Sequence, residues 1–224
     1  MKYSITKDGV ALDKSLYTLD EKTKTFYSSI DGLVLDFSDE DAWTFETYDD
    51  CTFDTGSECT FDTGFDCIFR TGSSCMFNTG SNCIFDTGSD CTFDTSFCCT
   101  FNTGSNCIFD TGSDCTFRTG FNCTFDTGFD CIFKTSFCCT FDTGSNCIFR
   151  TGSSCMFNTG SSCVVVRRDV HEVIELEEGV KIKLNDRDIK GFTKVDNSES
   201  IEIEGKTYTL DQLKKALKLI EEDK

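Results

Sequence analysis

Between Cys51 and Ser162 one eight-residue phrase, C-[T/I/M]-F-[D/N/R/K]-T-[G/S]-[S/F]-x, recurs fourteen times without insertion or deletion. No other feature constrains the fold as much. A unit this short buries nothing alone, so its copies must stack on one another, and self-similarity at a fixed period reads as a solenoid. Cys holds position one, Phe position three and Thr position five in all fourteen units. Gly holds position six in twelve, with Ser96 and Ser136 as the exceptions.

Parity orients the unit. Alternate side chains of a strand point to opposite faces. Positions one, three and five therefore share the inner face, with its Cys and Phe. Positions two and four face water and carry the Asp, Asn, Arg and Lys residues. Each octad reads as about five residues of strand and a three-residue turn, with Gly at six expected to make the corner through its tolerance of positive φ. The register extends outward. Trp43-Thr44-Phe45-Glu46-Thr47 matches positions one to five, and Leu35 and Phe37 are placed at one and three of the preceding octad. Downstream, Cys163 and Val165, then His171 and Val173, take inward positions. The expected division is an N-terminal β cap over 1–34, an octapeptide-repeat stack over 35–175, and a C-terminal α+β cap or docking module over 176–224.

Eight residues cannot close a coil around a core. Two octads give a flattened, two-sided coil and three a triangular prism. The basic residues at position four, Arg70, Arg118, Lys134 and Arg150, all lie in odd-numbered units, whereas even units carry only Asp or Asn there. That split favours two octads per coil, hence an all-β parallel solenoid with two unlike faces. The odd face presents Ile68, Arg70, Ile84, Arg118, Ile132, Lys134, Ile148 and Arg150, a candidate interaction face. The even face presents Asp62, Asp94, Asp110, Asp126 and Asp142, a candidate acidic face. Seven coils at about 4.8 Å make a rod of roughly 34 Å plus caps.

The chain has no proline, so no ladder bond is interrupted. Its net charge is −18. One reading is protection against edge-to-edge growth by self-repulsion; a sharper one is mimicry of a nucleic-acid surface by the acidic face. Direct nucleic-acid binding is disfavoured, because few basic groups sit on a strongly acidic body. Fifteen of the 17 cysteines fall at position one, the spacing of a packing ladder. Free buried thiols are the leading reading, ahead of cross-coil disulfides and of metal binding, for which there is neither a CxxC nor a second His. Cys98 and Cys138 fall at position eight, in turns, and are the candidate exposed thiols. MKYSITKDGV carries no secretion signal and no run is long enough for a membrane span, so host cytoplasm or a virion is the expected location.

Both ends read as caps, which a solenoid needs to stop growth. Asp8-Gly9 and Asp31-Gly32 mark turns between short N-terminal strands, among them Leu16-Tyr17-Thr18-Leu19 and Thr25-Phe26-Tyr27. Beyond 176, Val180-Lys181-Ile182-Lys183-Leu184 alternates as a half-buried strand. Ile201-Glu202-Ile203 and Lys206-Thr207-Tyr208 flank a turn as a hairpin, and Thr209 with Gln212 forms a capping box before an amphipathic helix with Leu210, Leu213, Ala216, Leu217 and Ile220 on one face.

Nothing in the chain assembles catalytic chemistry. His171 is the only histidine, and no nucleophile–His–acid set forms around it. Asp-Thr-Gly triplets such as Asp54-Thr55-Gly56 match an aspartic-protease signature in letters alone, since Asp alternates with Asn, Arg and Lys at that place. One Gly and one Asp per octad do not make a calcium-binding nonapeptide cage. Outward Thr ranks are interrupted by Ile and Met, which argues against an ice-binding surface. No catalytic residue, cofactor, metal or small-molecule substrate is expected; the partner is a protein or a second copy of the chain.

The C-T-F-x-T-G-x-x grammar, the opening MKYSITKDGVALDKSLYTLDEKTKTF and the ending IEIEGKTYTLDQLKKAL resemble the octapeptide-repeat hypothetical proteins of large DNA viruses and tailed phages. The resemblance covers nearly the whole chain. It implies a viral origin and a virion or host-interaction role; that family has no assigned activity, so no site residue carries over. Ser96-Phe97-Cys98 and Ser136-Phe137-Cys138 depart from the plain repeat and put uniform corners in doubt there.

Overall fold

In the computed structural model, which describes residues 3–195, 200–203 and 206–209, the chain is an all-β parallel solenoid. From Thr25–Tyr27 to Cys163–Arg167 successive strands alternate between two sheets of twelve strands each, so one coil takes two octads. Odd units build one sheet and even units the other. Pairing is in register at a separation of sixteen residues, as in Phe85 with Phe69 and Phe101, and Phe93 with Phe77 and Phe109. Among the described residues the only helical element is a 3-10 turn, Lys14–Leu16.

The core is the one parity requires. Every position-one Cys and position-three Phe from Cys51 to Phe157 is buried. Within a sheet the rings stack nearly parallel, as Phe101 on Phe117 at 4.8 Å and 2°. Between sheets they meet edge to face, as Phe93 and Phe101 at 5.2 Å and 76°. Both arrangements match the preferences set by the aromatic quadrupole. Truncating one such ring to alanine should cost about 3–5 kcal/mol.

The corners work differently from the sequence expectation. The repeat glycines do not have positive φ; position eight does, in all fourteen units from Glu58 to Ser162, at 54–62°. Asp, Asn and Ser dominate there, and Asn and Asp are the L-residues that best tolerate the left-handed region. Glycine at six is needed for close approach instead. A Cβ on Gly88 would lie 2.3 Å from Ser73 Oγ and 2.9 Å from Ser73 N in the coil below. In return, corner backbones bond from coil to coil: Gly88 N–H donates to Gly72 O (3.0 Å) and Ser89 N–H to Ser73 Oγ (3.1 Å). Ser96 breaks this pattern. Phe97 N–H makes no bond to Ser81, whose Oγ is buried without a partner.

Inward threonines bond their own corners, as Thr111 Oγ1 to Gly112 O (3.4 Å). Those of Thr63, Thr95, Thr119, Thr127 and Thr135 find no partner, and each of these precedes a corner carrying Phe at position seven. Thr159 is also unpaired, ahead of Ser161.

Both sheets end in antiparallel strands at both ends, which stops the parallel ladder. Ser4–Lys7 pairs antiparallel with Leu33–Phe37, and Thr18–Asp20 with Thr25–Tyr27. Parallel stacking begins earlier than expected, since Thr25–Tyr27 pairs parallel with Thr44–Glu46 and Phe26 lies under Phe45. Leu35 aligns with Phe53 and Phe37 with Thr55, so they occupy positions three and five, not one and three. Parity, and hence burial, is unchanged; a connection two residues longer than an octad, between Leu35 and Phe45, shifts the register.

At the other end the last parallel pair is Ile148–Thr151 with Cys163–Arg167. Glu172–Leu176 then folds back antiparallel onto it. His171 and Val173 are not inward. His171 sits exposed in the turn with φ 50°, and Val173 is 68% exposed, while Ile174 and Leu176 are buried. A reversal at 168–171 replaces the next coil and exchanges the two faces. Ile182–Leu184 caps the even sheet and carries Phe192–Lys194. The hairpin Ser200–Ile203 with Lys206–Thr209 is formed, with Ile201 opposite Tyr208. The helix read into 210–224 lies outside the described residues.

Candidate interaction faces

Position four forms one outward rank on each sheet. On the odd sheet Arg118, Lys134 and Arg150 are consecutive ladder partners, and Arg70 stands between Asp54 and Asp86. On the even sheet Asp94, Asp110, Asp126 and Asp142 are consecutive, with Asp62 separated from them by Asn78. All nine of the named Arg, Lys and candidate-face Asp side chains are exposed. Ile84, Ile132 and Ile148 are exposed beside the basic rank and Ile68 is half-buried; Ile68 pairs with Ile84, and Ile132 with Ile148. The structure thus brings each candidate face together on its own sheet, back to back with the other.

The electrostatics of the two ranks differ from those of isolated surface charges. None of Arg70, Arg118, Lys134 and Arg150 forms an ion pair with a described residue. Where Asn follows Asp along a rank, its amide donates to the carboxylate: Asn102 to Asp86 (2.9 Å), Asn158 to Asp142 (3.0 Å) and Asn78 to Asp62 (3.3 Å). Within the unbroken run Asp94–Asp110–Asp126–Asp142 only Asp142, at its end, has such relief. Partial burial, then the charges of Asp110 and Asp142, push the Asp126 carboxyl up.

Cys98 and Cys138 are exposed and the other fifteen thiols buried, all of them free. The two exposed thiols occupy opposite corners of the stack, Cys98 after an even strand and Cys138 after an odd one, so they do not meet. Buried thiols donate to corner carbonyls, as Cys91 to Ser89 O (3.4 Å) and Gly72 O (3.8 Å). Contact with the thiols of Cys51 and Cys83, and then burial, push the Cys67 thiol up. The same contacts act oppositely on neighbours, lowering Cys83 and Cys131 while raising Cys67 and Cys115, and burial raises all four; sealed from solvent, the row is unreactive. Among the described residues no three His, Cys, Asp or Glu side chains converge on a metal site, and no helix is long and apolar enough to cross a membrane.

Two features escaped the sequence reading. Phe65, Phe97 and Phe129 stand 50%, 55% and 54% exposed along one corner, on every second coil. The space between Phe97 and Phe129, floored by Gly112 and Ser113, is a cleft of about 560 Å³. On the opposite corner Phe121 stacks on Phe137 at 5.2 Å and 1°. The Ser/Phe alternation at position seven, followed separately for odd and even units, is the signal that finds them. The second feature is Arg167, fully buried at the end of the stack. It lies at inward position five of the unit that starts at Cys163, so the parity rule places a cation inside and calls for partners.

No family model, no curated protein and no solved structure matches this chain.

Proposed function

We propose that this protein is a non-enzymatic rigid rod that holds or spaces other proteins, and that it belongs to a virus, as a virion component or a factor acting in the host cytoplasm. The observation that carries the reading is the unbroken in-register stack. Its interior is filled by Phe and Cys, and its two long faces are parallel sheets. Such a body resists bending and presents the same surface rung after rung, which suits a spacer or scaffold. Viral origin rests on the octapeptide grammar and the resemblance it carries.

Removal of residues 75–106, two whole coils, tests the rod. The odd–even order survives the cut. The expected product folds, is shorter by about 9.6 Å in small-angle scattering, and binds its partner at correspondingly shorter reach. A product that collapses, or turnover of a substrate that is lost in His171→Ala, would overturn the reading. Comparing purified particles with infected-cell lysate by mass spectrometry tests the viral placement.

The uninterrupted Asp94–Asp110–Asp126–Asp142 rank supports a second reading, an acidic decoy for a host DNA-binding protein. Its rungs repeat at about 4.8 Å, against about 3.4 Å of rise per phosphate along a DNA strand. Neutralising these four carboxylates should abolish binding to such a host protein; unchanged affinity ends that reading.

A further inference from the structure

The basic rank and the acidic rank belong to the same coils but point in opposite directions, so within one chain they never meet. They repeat at one period because the same coil builds both. Two rods laid side by side, pointing the same way, bring the odd sheet of one against the even sheet of the next. Face-to-face sheets pack about 10 Å apart, and the long Arg and Lys arms reach across a gap that Asp alone does not.

The order of residues favours one register. Let each odd-face residue meet the even-face residue eight positions earlier in the neighbouring copy. The pairs are then Arg70 with Asp62, Arg118 with Asp110, Lys134 with Asp126 and Arg150 with Asp142. The intervening rungs are Asp86 with Asn78 and Asn102 with Asp94, the amide–carboxylate pairing already made within each rank by Asn102 on Asp86. Over these six rungs no like charges oppose; one rung outward, Asp54 meets Glu46, the single like-charge contact of this register. The opposite slide, eight positions later, sets Asp54 against Asp62 and Asp86 against Asp94, and strands Arg70 opposite Asn78 and Arg150 opposite Asn158. A slide of one further coil, 24 positions earlier, also makes four opposite-charge pairs, but it sets Asp86 against Asp62 and loses both amide–carboxylate rungs, leaving Asn102 opposite Asn78. Like charges in contact disfavour wrong partners more reliably than matched ones add affinity.

We propose that the chain binds a second copy of itself through these two faces, odd sheet on even sheet, in the register that joins Arg118, Lys134 and Arg150 to Asp110, Asp126 and Asp142 of the neighbour. The exposed Ile132 and Ile148 lie in the same contact. Because the two faces differ, the contact is heterologous and does not close; it builds open sideways rows of rods. The proposal rests on the reading of the chain as a protein-binding rod and names its partner. The net charge of −18 opposes every approach of a second copy, so association depends on the local match of the two ranks.

Sedimentation over a concentration series, on the full chain, tests this with two charge-reversed variants. One is Arg118→Glu/Lys134→Glu/Arg150→Glu; the other is Asp110→Lys/Asp126→Lys/Asp142→Lys. The wild type is expected to grow in mass with concentration. Each variant alone should weaken association at least about tenfold, and an equimolar mixture of the two should associate again, since the reversed faces match each other. Protection of the fifteen buried thiols shows that each variant is folded, and Arg118→Gln/Lys134→Gln/Arg150→Gln, which removes charge without reversing it, should fall between wild type and the first variant. A wild type that remains monomeric to about 1 mM, or folded variants that associate as the wild type does, would overturn the proposal. So would a mixture that fails to associate. Any of these with the coil-deletion result intact leaves the rod standing; a collapsed deletion product with the mixing result intact leaves the contact standing.

Discussion

The Arg167 guanidinium meets the Asp169 carboxylate side-on, with Nη2 2.6 Å from Oδ2 and Nε 3.2 Å from Oδ1. Its other donors reach Ile189 O (2.7 Å), Gly191 O (3.3 Å) and Asp186 O (3.4 Å). Glu172, 3.8 Å from Nη1, accepts the Gly191 N–H at 2.9 Å. One buried cation therefore latches the 186–191 loop onto the last odd strand and closes the stack.

Removing that cation leaves two carboxylates and three carbonyls facing a dry space. Arg167→Met should cost about 3–5 kcal/mol, seen as lost amide protection over 182–194 while mid-stack amides stay protected. Burial alone would raise the Asp169 carboxyl, but the hydrogen bonds and charge of Arg167 outweigh it and hold the group below its ordinary value. A carboxyl so depressed contributes stability that is complete at neutral pH and lost as pH falls below about 4. Protection factors of 182–194 should fall in that window, and in Asp169→Asn they should be low already at neutral pH and flat below it.

Two threonines one coil apart on the same sheet should respond oppositely to the same change. Thr111 donates to Gly112 O, whereas Thr127 Oγ1 is buried without a partner. Thr111→Val should destabilise by about 1 kcal/mol and Thr127→Val should stabilise by about as much, because an unpaired buried hydroxyl keeps its desolvation cost. Denaturant midpoints of the two variants decide it.

Thiol labelling separates the core from the corners. In the native protein a maleimide should modify Cys98 and Cys138 quickly and the fifteen ladder cysteines only after unfolding. Rapid native labelling of most sulfurs would contradict the dry interior.

The Asp126 carboxyl is pushed up by partial burial and by Asp110 and Asp142. A native state that holds a proton more tightly than the unfolded chain gains stability as pH falls through that raised value towards the ordinary one near 3.9. Thermal midpoints should rise on mild acidification, and Asp126→Asn should remove part of the rise. A slope unchanged in Asp126→Asn would contradict this contribution of Asp126.

How much of this was legible beforehand follows from what each signal measures. Parity placed Phe93, Phe101 and every other position-three ring inside, because a strand side chain has only two directions. The odd–even split at Arg70, Arg118, Lys134 and Arg150 gave two octads per coil, since only that number puts all four on one sheet. Parity was silent about corners. Gly88 is there to admit the coil below, and Asp90 takes the positive φ, a division of labour that depends on a neighbour sixteen residues away. It failed at His171, where the chain reverses and the alternation restarts on the other face.

The repeat alone therefore determined the architecture, the core and the sorting of charge, since these depend on period and on the preference of rings and thiols for a dry interior. Only the tertiary structure decided which backbone position bends, where the stack stops, and that Arg167 is the buried latch. It also set the two charged ranks back to back on open sheets, within reach only of another molecule, because closeness in space between distant rungs is a property of the stacked coil and not of any one octad.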